Sequence, residues 1–183
     1  MITGEHAVIR TADLDDARSL LKLYDTARPV AFILGPSREV AIPTLDELQE
    51  TLARREVATG SFYVVETREG AIRGCCAMRG FTKETIHAEI ALALVDDADY
   101  AAPLAQECID FLRYSAFVEK KLAKVMAHCL DTELAYRQLL VRNGFESAGI
   151  QRDMVYARGR YYGLESLRLF GPNHRKETRE SEA

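Results

Sequence analysis

The amino-acid sequence predicts an α/β (α+β) fold, with a mixed, mostly antiparallel central sheet of about seven strands and helices on both faces. Three consecutive segments in the middle of the chain are rich in β-branched, aromatic and alternating apolar residues, which is typical of strands. Only short turn sequences separate these segments, so we expect an antiparallel meander. Segments with helical apolar spacing come before and after it.

Size and composition are those of an ordinary globular protein. The 183 residues are 48% hydrophobic and 28% charged, which favours a single domain over residues 1–170. Residues 171–183 are charged and poor in apolar groups, and we predict a disordered tail there. The sequence has neither an apolar run of about 18 residues nor the layout of a signal peptide, so a cytoplasmic location without membrane contact is expected.

Charge and cysteine usage argue against two further classes of protein. The formal net charge of -4 and the sequence pI near 5.6 lack the basic footprint of a nucleic-acid binder. The four cysteines form no C-x-x-C pair, and the adjacent Cys75 and Cys76 would point to opposite faces of a strand. We therefore expect buried core cysteines and no metal site.

The chain opens with a strand followed by a helix. Ala7–Arg10 is strand-like, and an amphipathic stretch begins at Asp13, with apolar residues at Leu14, Ala17, Leu21 and Tyr24. Residues 28–43 contain three prolines and a glycine, which favours irregular structure. Thr44–Glu47 has the form of a capping box, so a helix is predicted from Leu45 to Arg55.

The meander and the elements after it follow from the same patterns. The three predicted strands are Phe62–Glu66, Ala71–Phe81 and Ile86–Val95. Pro103–Val118 repeats apolar residues every three or four positions and predicts the longest helix, with the proline tolerated in the first turn. The remaining elements are a strand at Ala123–Cys129, a helix at Glu133–Asn143 stopped by Gly144, and strands at Phe145–Tyr156 and Tyr161–Phe170.

The order of these elements and several short segments resemble the GCN5-related N-acetyltransferases (GNAT superfamily). Ala88–Ile90, Tyr114–Phe117 and Leu139–Phe145 are similar to its ribosomal-protein N-terminal acetyltransferase branch, as are Gly149–Arg152 and Gly159–Tyr162. The resemblance covers roughly residues 7–170 and implies the acyl-CoA N-acyltransferase fold. It also implies direct transfer of an acetyl group from acetyl-CoA to a primary amine, on a small molecule or a protein N-terminus, without a metal. Whether the protein forms a homodimer is left open, because no feature of the sequence indicates the oligomeric state.

Glu89 is the candidate general base of such a reaction. The two-residue strand period places His87, Glu89, Ala91 and Ala93 on one face, so the carboxylate lies in an otherwise apolar strand. Burial makes a carboxylate a better proton acceptor, and the resembled branch has a glutamate here. A structural salt bridge is an equally supported alternative. His87 could share a water with Glu89, although a surface role is more usual for such a histidine.

The resemblance places the loop that grips the pyrophosphate of coenzyme A at Asp96–Leu104. The family pattern there is R/Q-x-x-G-x-G/A, whose amides and helix N-terminus hold the phosphates. This chain has alanines and Pro103 in place of the glycines, carries no Lys or Arg from Glu84 through Leu112, and adds three acids at Asp96, Asp97 and Asp99. The loop is therefore degenerate relative to the family.

Two hypotheses follow from this loop. In the first, coenzyme A still binds through the strand edge and the helix start, with an arginine of the next helix reaching a phosphate; the candidate residues are Leu94, Val95, Ala101, Ala102, Leu104, Ala105 and Arg137 or Arg142. In the second, Asp99 caps a helix beginning at Pro103, the cofactor site is lost, and the protein is a non-catalytic member of the fold that binds another ligand or a protein partner.

The general acid for the leaving thiolate cannot be assigned by the same resemblance. Many relatives carry a tyrosine at the position that Leu140 occupies here. Tyr136 lies one helical turn earlier on the same face and could approach a ligand, although core packing is the favoured role.

Overall fold

An eight-stranded sheet lies at the centre of the chain in this computed structural model, which describes residues 1–24, 43–54, 60–80, 86–157 and 159–172. Its strands are β1 (Ile2–Thr3), β2 (Ala7–Thr11), β3 (Gly60–Thr67), β4 (Ile72–Arg79), β5 (His87–Leu94), β6 (Lys124–Leu130), β7 (Glu146–Ala157) and β8 (Arg160–Phe170). They lie in the order β1-β2-β3-β4-β5-β6-β8-β7, and only the β5–β6 pair is parallel. The mixed, mostly antiparallel sheet is confirmed, and the strand beyond the seven expected is the two-residue β1 at one edge.

Helices cover both faces of the sheet, as predicted. They are α1 (Ala17–Leu20), α2 (Leu45–Arg54), α3 (Pro103–Tyr114) and α4 (Leu134–Arg142). One apolar cluster joins α1 and α2 to the face that carries Cys75 and Ala93. The other joins α3 and α4 to the opposite face, which carries Cys76, Ile90 and Leu92. Cys75 and Cys76 therefore do point to opposite faces, and both are buried.

The two helix boundaries with a clear sequence signal have the predicted geometry. The Thr44 amide donates to the Glu47 carboxylate at 2.7 Å, and the Glu47 amide donates to the Thr44 hydroxyl at 3.2 Å, which completes the capping box of α2. After α4, Gly144 has a φ of +86° and its amide donates to the Val141 carbonyl. A glycine adopts this left-handed conformation without steric cost, so the chain can turn directly into β7.

The first helical stretch is more broken than its apolar spacing predicts. Tight 3-10 turns at Leu14–Asp16 and Leu21–Leu23 flank the four residues of α1. Asp16 accepts a hydrogen bond from the Asp13 amide and forms an ion pair with Arg10 of β2. The turn at Leu14–Asp16 is therefore linked to the sheet. Most of the irregular segment predicted over residues 28–43, and residues 173–183 of the predicted tail, lie outside the described residues.

A second set of hydrogen bonds joins the first residues of the chain to α3. The Glu107 carboxylate on α3 accepts hydrogen bonds from the amides of His6 and Ala7 and contacts the His6 ring nitrogen Nδ1 at 2.9 Å. A side chain at Gly4 would collide with the same carboxylate. The β1–β2 turn is therefore held against the first half of α3.

The parallel pair β5–β6 opens into a split. The two strands pair only from His87 to Glu89 with Lys124 to Met126, whereas β6 pairs with β8 along its whole length. Beyond Glu89, β5 keeps its antiparallel partner β4, but no strand of the described residues pairs with it on its other side. Such an edge presents main-chain N–H and C=O groups that need other partners.

Candidate functional site

Two tyrosines fill the split beside β5. The Leu94 amide donates to the Tyr100 hydroxyl at 3.0 Å, and that hydroxyl donates to the Leu92 carbonyl at 3.4 Å. The ring of Tyr136, on α4, lies 5.6 Å from that of Tyr100 and is tilted by 40°. Both side chains are 3% exposed. The edge of β5 is thus satisfied by a side chain of the loop that follows it.

Tyr136 differs from Tyr100 in its hydrogen bonding. Its hydroxyl is buried and makes no hydrogen bond of good geometry to the described residues, although the Leu92 backbone lies beside it. Burial raises the pKa of this phenol well above its usual value, the nearby Tyr100 adds to that rise, and the Leu92 backbone opposes it more weakly. The hydroxyl therefore keeps its proton at neutral pH. Leu140, the position at which many relatives carry a tyrosine, is fully buried in the apolar cluster.

Of the two residues proposed for the strand edge, Leu94 at the end of β5 and Val95 just after it, one presents its amide to the split. The Leu94 amide points at Tyr100, as described. The Val95 amide instead donates to the Arg73 carbonyl of β4 at 2.9 Å. Any ligand that pairs with this edge would therefore meet Leu94 and not the amide of Val95.

The loop after β5 is a short 3-10 helix, Asp97–Ala101, followed directly by α3. Ala102 is the N-cap of α3 and offers no side-chain acceptor, and Pro103 occupies the first turn as expected. The hypothesis that Asp99 caps this helix is wrong: its carboxylate pairs with Arg73 of β4, at 2.6 Å from Nη2 and 2.8 Å from Nε. That pair neutralises one of the three acids that would repel a phosphate, while Asp96 and Asp97 stay exposed.

The first turn of α3 can offer a ligand only its main chain. The side chains of Leu104 and Ala105 are buried in the core, and the Ala105 amide donates to the Ala102 carbonyl. A cavity of about 350 Å³ lies beside this turn, and its lining includes His6, Arg68 and Arg73. The same wall also holds the carboxylates of Glu5, Glu69 and Asp99, so side chains of both charges lie next to the start of this 12-residue helix.

The two candidate arginines of α4 have different partners. The Arg142 guanidinium donates to the Tyr100 carbonyl at 2.9 Å, which places a positive charge on the loop. The Arg137 guanidinium pairs with Glu165 of β8 at 2.6 Å, and this pair holds the pKa of Glu165 below its usual value. Because Glu165 is buried, Arg137 is committed to neutralising it. Arg142 is the arginine that lies at the loop.

Glu89 is paired rather than enclosed in apolar surroundings. It stands directly opposite Arg79 of β4, and its carboxylate lies 2.6 Å from the Arg79 guanidinium, with 34% of its side chain exposed. His87, two residues earlier on β5, is exposed. The guanidinium donates a charge-assisted hydrogen bond to the carboxylate, and the exposure leaves the carboxylate reachable from solvent.

Sequence reasoning missed three residues of this region: Arg73, Arg79 and the side chain of Tyr100. The two arginines depend on the β4–β5 register and on a contact between residues 26 positions apart, and neither is encoded in a local pattern. Tyr100 did carry a signal, because a large aromatic residue between acids and alanines is expected to bury its ring. The described residues contain no cluster of His, Cys, Asp and Glu that could hold a metal, and no described helix is long and apolar enough to cross a membrane.

Comparison with known protein families and structures agrees with this architecture. The family model of the GNAT acetyltransferase domain matches residues 9–164. No curated protein matches the sequence. Among solved structures, a probable acetyltransferase is 23% identical with a TM-score of 0.75, over 91% of this chain and 94% of the other.

Two further structures have the same fold at lower identity. Spermidine N-acetyltransferase from Vibrio cholerae, solved in complex with CoA and spermine, is 17% identical with a TM-score of 0.74, over 91% of this chain and 96% of its own. An N-acetyltransferase from Staphylococcus aureus Mu50 is 19% identical with a TM-score of 0.70, over 90% and 98%. The family match extends over most of the sequence and over the β5–β6 split, and on this ground the chain belongs to the GNAT acetyltransferase family.

Proposed function

We propose that the protein transfers an acetyl group from acetyl-CoA to a primary amine, on a small molecule or a protein N-terminus. The family match supports acetyl transfer in general, and the β5–β6 split is the observation that carries the proposal for this chain. The non-catalytic alternative has less support, because the family and the similar structures are acetyltransferases. Membership of the ribosomal-protein N-terminal acetyltransferase-like branch is part of the proposal.

The residues around the split fit a coenzyme A-type group. Its pantetheine arm would pair with the Leu94 amide once Tyr100 withdraws, since that amide faces the split. The uncapped start of α3, at Ala102, Leu104 and Ala105, would face the phosphates, and Arg142 lies at the adjoining loop. Ala101 ends the 3-10 turn and would adjust with it. Acetyl-CoA, when bound, supplies an activated thioester to the site.

Glu89 is the residue proposed to accept the proton of the attacking amine, directly or through a water. Its carboxylate is partly exposed, so an amine or a water can come within hydrogen-bond reach of it, as a general base requires. His87 lies on the same strand two residues away and would assist through a shared water. The rest of the protein's task is to position both reactants, which supplies much of the rate enhancement in such reactions.

The proposal does not specify which amine accepts the acetyl group. The similar Vibrio cholerae enzyme was solved with spermine, and a polyamine is therefore one candidate to test beside peptides with a free N-terminus. That enzyme has also been solved as a dodecamer, and self-association of this chain, as a homodimer or a larger assembly, is a further proposal. The acidic pI makes nucleic acid the least suitable partner.

Two measurements test the proposal. Calorimetric titration with acetyl-CoA should give a dissociation constant in the micromolar range, whereas silence at millimolar ligand would refute it. Release of the CoA thiol should then depend on an added amine from a panel of polyamines and short peptides.

Glu89→Gln should lower kcat by about 100-fold or more while acetyl-CoA binding is retained, because glutamine keeps the size of the side chain and an oxygen for Arg79 but cannot accept the proton. Glu146→Gln, at an exposed glutamate of β7, is the matched control and should leave kcat unchanged. An unaltered kcat in Glu89→Gln would remove Glu89 from the mechanism.

A further inference from the structure

The face of the sheet that carries Glu89 is covered over only part of its width by the described helices. The apolar cluster under α1 and α2 includes Val64 of β3, Cys75 of β4 and Ala93 of β5, but no residue of β6 or β8. In the half of β6 and β8 nearest to Glu89, the side chains on this face are half-buried or exposed; they are Lys124, Met126, His128, Ser166, Arg168 and Phe170. These six side chains form an open strip beside Glu89.

The strand register places two cations of the open strip close to Glu89. Glu89 of β5 lies opposite Met126 of β6, and Met126 lies opposite Arg168 of β8. Lys124 precedes Met126 by two residues on β6 and therefore projects from the same face. From strand spacing and rise per residue, the Cα atoms of Arg168 and Lys124 lie roughly 10 Å and 8 Å from that of Glu89. A carboxylate, an apolar side chain and two cations thus follow one another across the sheet.

Neither of these two cations forms an ion pair with another described residue. Arg168 lies opposite Glu146 of β7 without pairing with it, and its guanidinium instead lies over the Phe170 ring, 5.3 Å from the ring centre. A cation–π contact of this kind restrains the direction of the guanidinium. Glu89 already has a partner in Arg79. Two positive charges on this face are therefore left without a carboxylate from the described part of the chain.

An acceptor whose amine reaches Glu89 would extend over Met126 toward these cations. Strand side chains stand roughly perpendicular to the sheet, so the charged groups of Glu89 and Arg168 are about as far apart as their Cα atoms, roughly 10 Å. A hydrogen bond takes about 3 Å at each end, which leaves roughly 4 Å between the amine and an anionic group of one acceptor. The amine and side-chain carboxylate of an N-terminal aspartate or glutamate have this spacing. A polyamine would instead bring further positive charge next to Lys124 and Arg168.

We propose that the acceptor is a primary amine with an anionic group a few bonds away, and that Lys124 and Arg168 are the specificity residues that bind this anion. This inference rests on the proposed function and names the acceptor class within it. The same chemistry has two sources, a peptide that begins with Asp or Glu and the free acidic amino acid. Because both cations contact a part of the acceptor that does not react, they affect KM and leave kcat unchanged.

Acetylation of matched acceptors at saturating acetyl-CoA tests the proposal. Among peptides that differ only in an N-terminal Asp, Asn or Lys, kcat/KM should be highest for Asp, about 10-fold lower for Asn and lowest for Lys. Spermidine should be a poorer acceptor than the Asp peptide. The preference for Asp should weaken as the salt concentration rises, because the cations are partly exposed. Free aspartate in the same assay separates the two sources: turnover equal to that of the Asp peptide identifies the amino acid, and much slower turnover identifies the peptide.

Substitutions at the two cations should change the acceptor preference. Arg168→Gln and Lys124→Gln should each raise KM for the Asp peptide by about 3- to 10-fold at unchanged kcat, and should leave KM for the Asn peptide nearly as it is. Arg168→Glu should reverse the preference, so that the Lys peptide becomes a better acceptor than the Asp peptide. A merely structural arginine would not give this reversal. Arg113→Gln, at a partly exposed arginine of α3, is the control with an equal change of charge, and its preference should equal that of the unaltered chain.

The outcomes separate this inference from the proposed function. If the unaltered chain neither binds acetyl-CoA nor acetylates any of these amines, the proposed function fails and this inference fails with it. If it acetylates the three peptides equally well, or prefers the Lys peptide or spermidine, the acceptor class is refuted while the proposed function stands. A preference for Asp that persists in both Arg168→Gln and Lys124→Gln would refute the role of these two residues.

Discussion

The two arginines of α4 differ in what their positive charge neutralises. Arg137 pairs with the buried Glu165 of β8, and Arg142 donates to a main-chain carbonyl of the loop. Sequence alone could not separate them, because both lie on the same helix and either could have reached a phosphate. Their partners, which lie far away in sequence, assign the first to stability and the second to the site.

Substitution by glutamine should separate these two roles. Arg137→Gln should lower the free energy of unfolding by about 1–3 kcal/mol, a value reduced for the partial exposure of Arg137, because Glu165 loses its counter-charge. Arg142→Gln should leave stability within about 0.5 kcal/mol and weaken CoA binding several-fold. Urea unfolding and calorimetry of both variants measure the two effects. If Arg137→Gln lost CoA binding and Arg142→Gln did not, these two roles would be wrong.

Among the secondary-structure elements, α2, α3 and α4, which have a period or a cap in the sequence, were predicted closely, whereas the helical period from Asp13 gave a broken helix. The apolar repeat of Pro103–Val118 corresponds to α3 and the π-helical turn Ser115–Glu119 that continues it. The capping box of Thr44 and the glycine after α4 are local signals and have the geometry they predict. The register of β4 against β5 has no such signal, and so the Arg79 partner of Glu89 was invisible.

The turn before α1 should make stability depend on pH through Asp16. The hydrogen bond from Arg10 is the main reason that the pKa of this buried carboxyl lies below its usual 3.8. Because the pKa is lower in the folded than in the unfolded chain, the stabilisation is complete above the unfolded value and is lost as the pH falls through the folded one. Stability should therefore fall as the pH drops below about 4, in part through this group.

Asp16→Asn tests this assignment in urea unfolding at several pH values. The variant should be less stable by about 1–3 kcal/mol at pH 7 and should lose less stability than the unaltered chain on acidification. Asp15→Asn, at the exposed neighbouring position, should leave both quantities nearly unchanged. An acid profile of Asp16→Asn parallel to that of the unaltered chain would show that other carboxyls control the transition.

For the molecule as a whole, the described core has one large cluster on each face of the sheet and a third, smaller one around Leu130 and Tyr162, and cysteines lie in both large clusters. Cys75 packs with α1 and α2, whereas Cys76, Cys108 and Cys129 pack under α3 and α4. The sequence alone predicted that Cys75 and Cys76 lie on opposite faces of the sheet. It did not predict the filling of the split, because that depends on how a loop and α4 meet across β5.

Burial of these thiols makes them reporters of global opening. It raises the pKa of Cys108 and of Cys129 to about 12 and raises those of Cys75 and Cys76 as well. Ellman's reagent at pH 8 should therefore find almost no reactive thiol in the native protein and four after denaturation in guanidinium chloride. Rapid reaction of one thiol in the native state would show that its half of the core opens locally.

The hydrogen bonds from His6 and Ala7 to Glu107 have a practical consequence for activity assays. His6 and Ala7 are fixed against α3, and the cavity beside the start of that helix includes Glu5 and His6 in its wall. A purification tag fused ahead of Met1 would lie next to this wall. A polyhistidine tag would bring imidazole groups close to the region proposed to bind the phosphates of coenzyme A. Assays are therefore best run after the tag has been cleaved off.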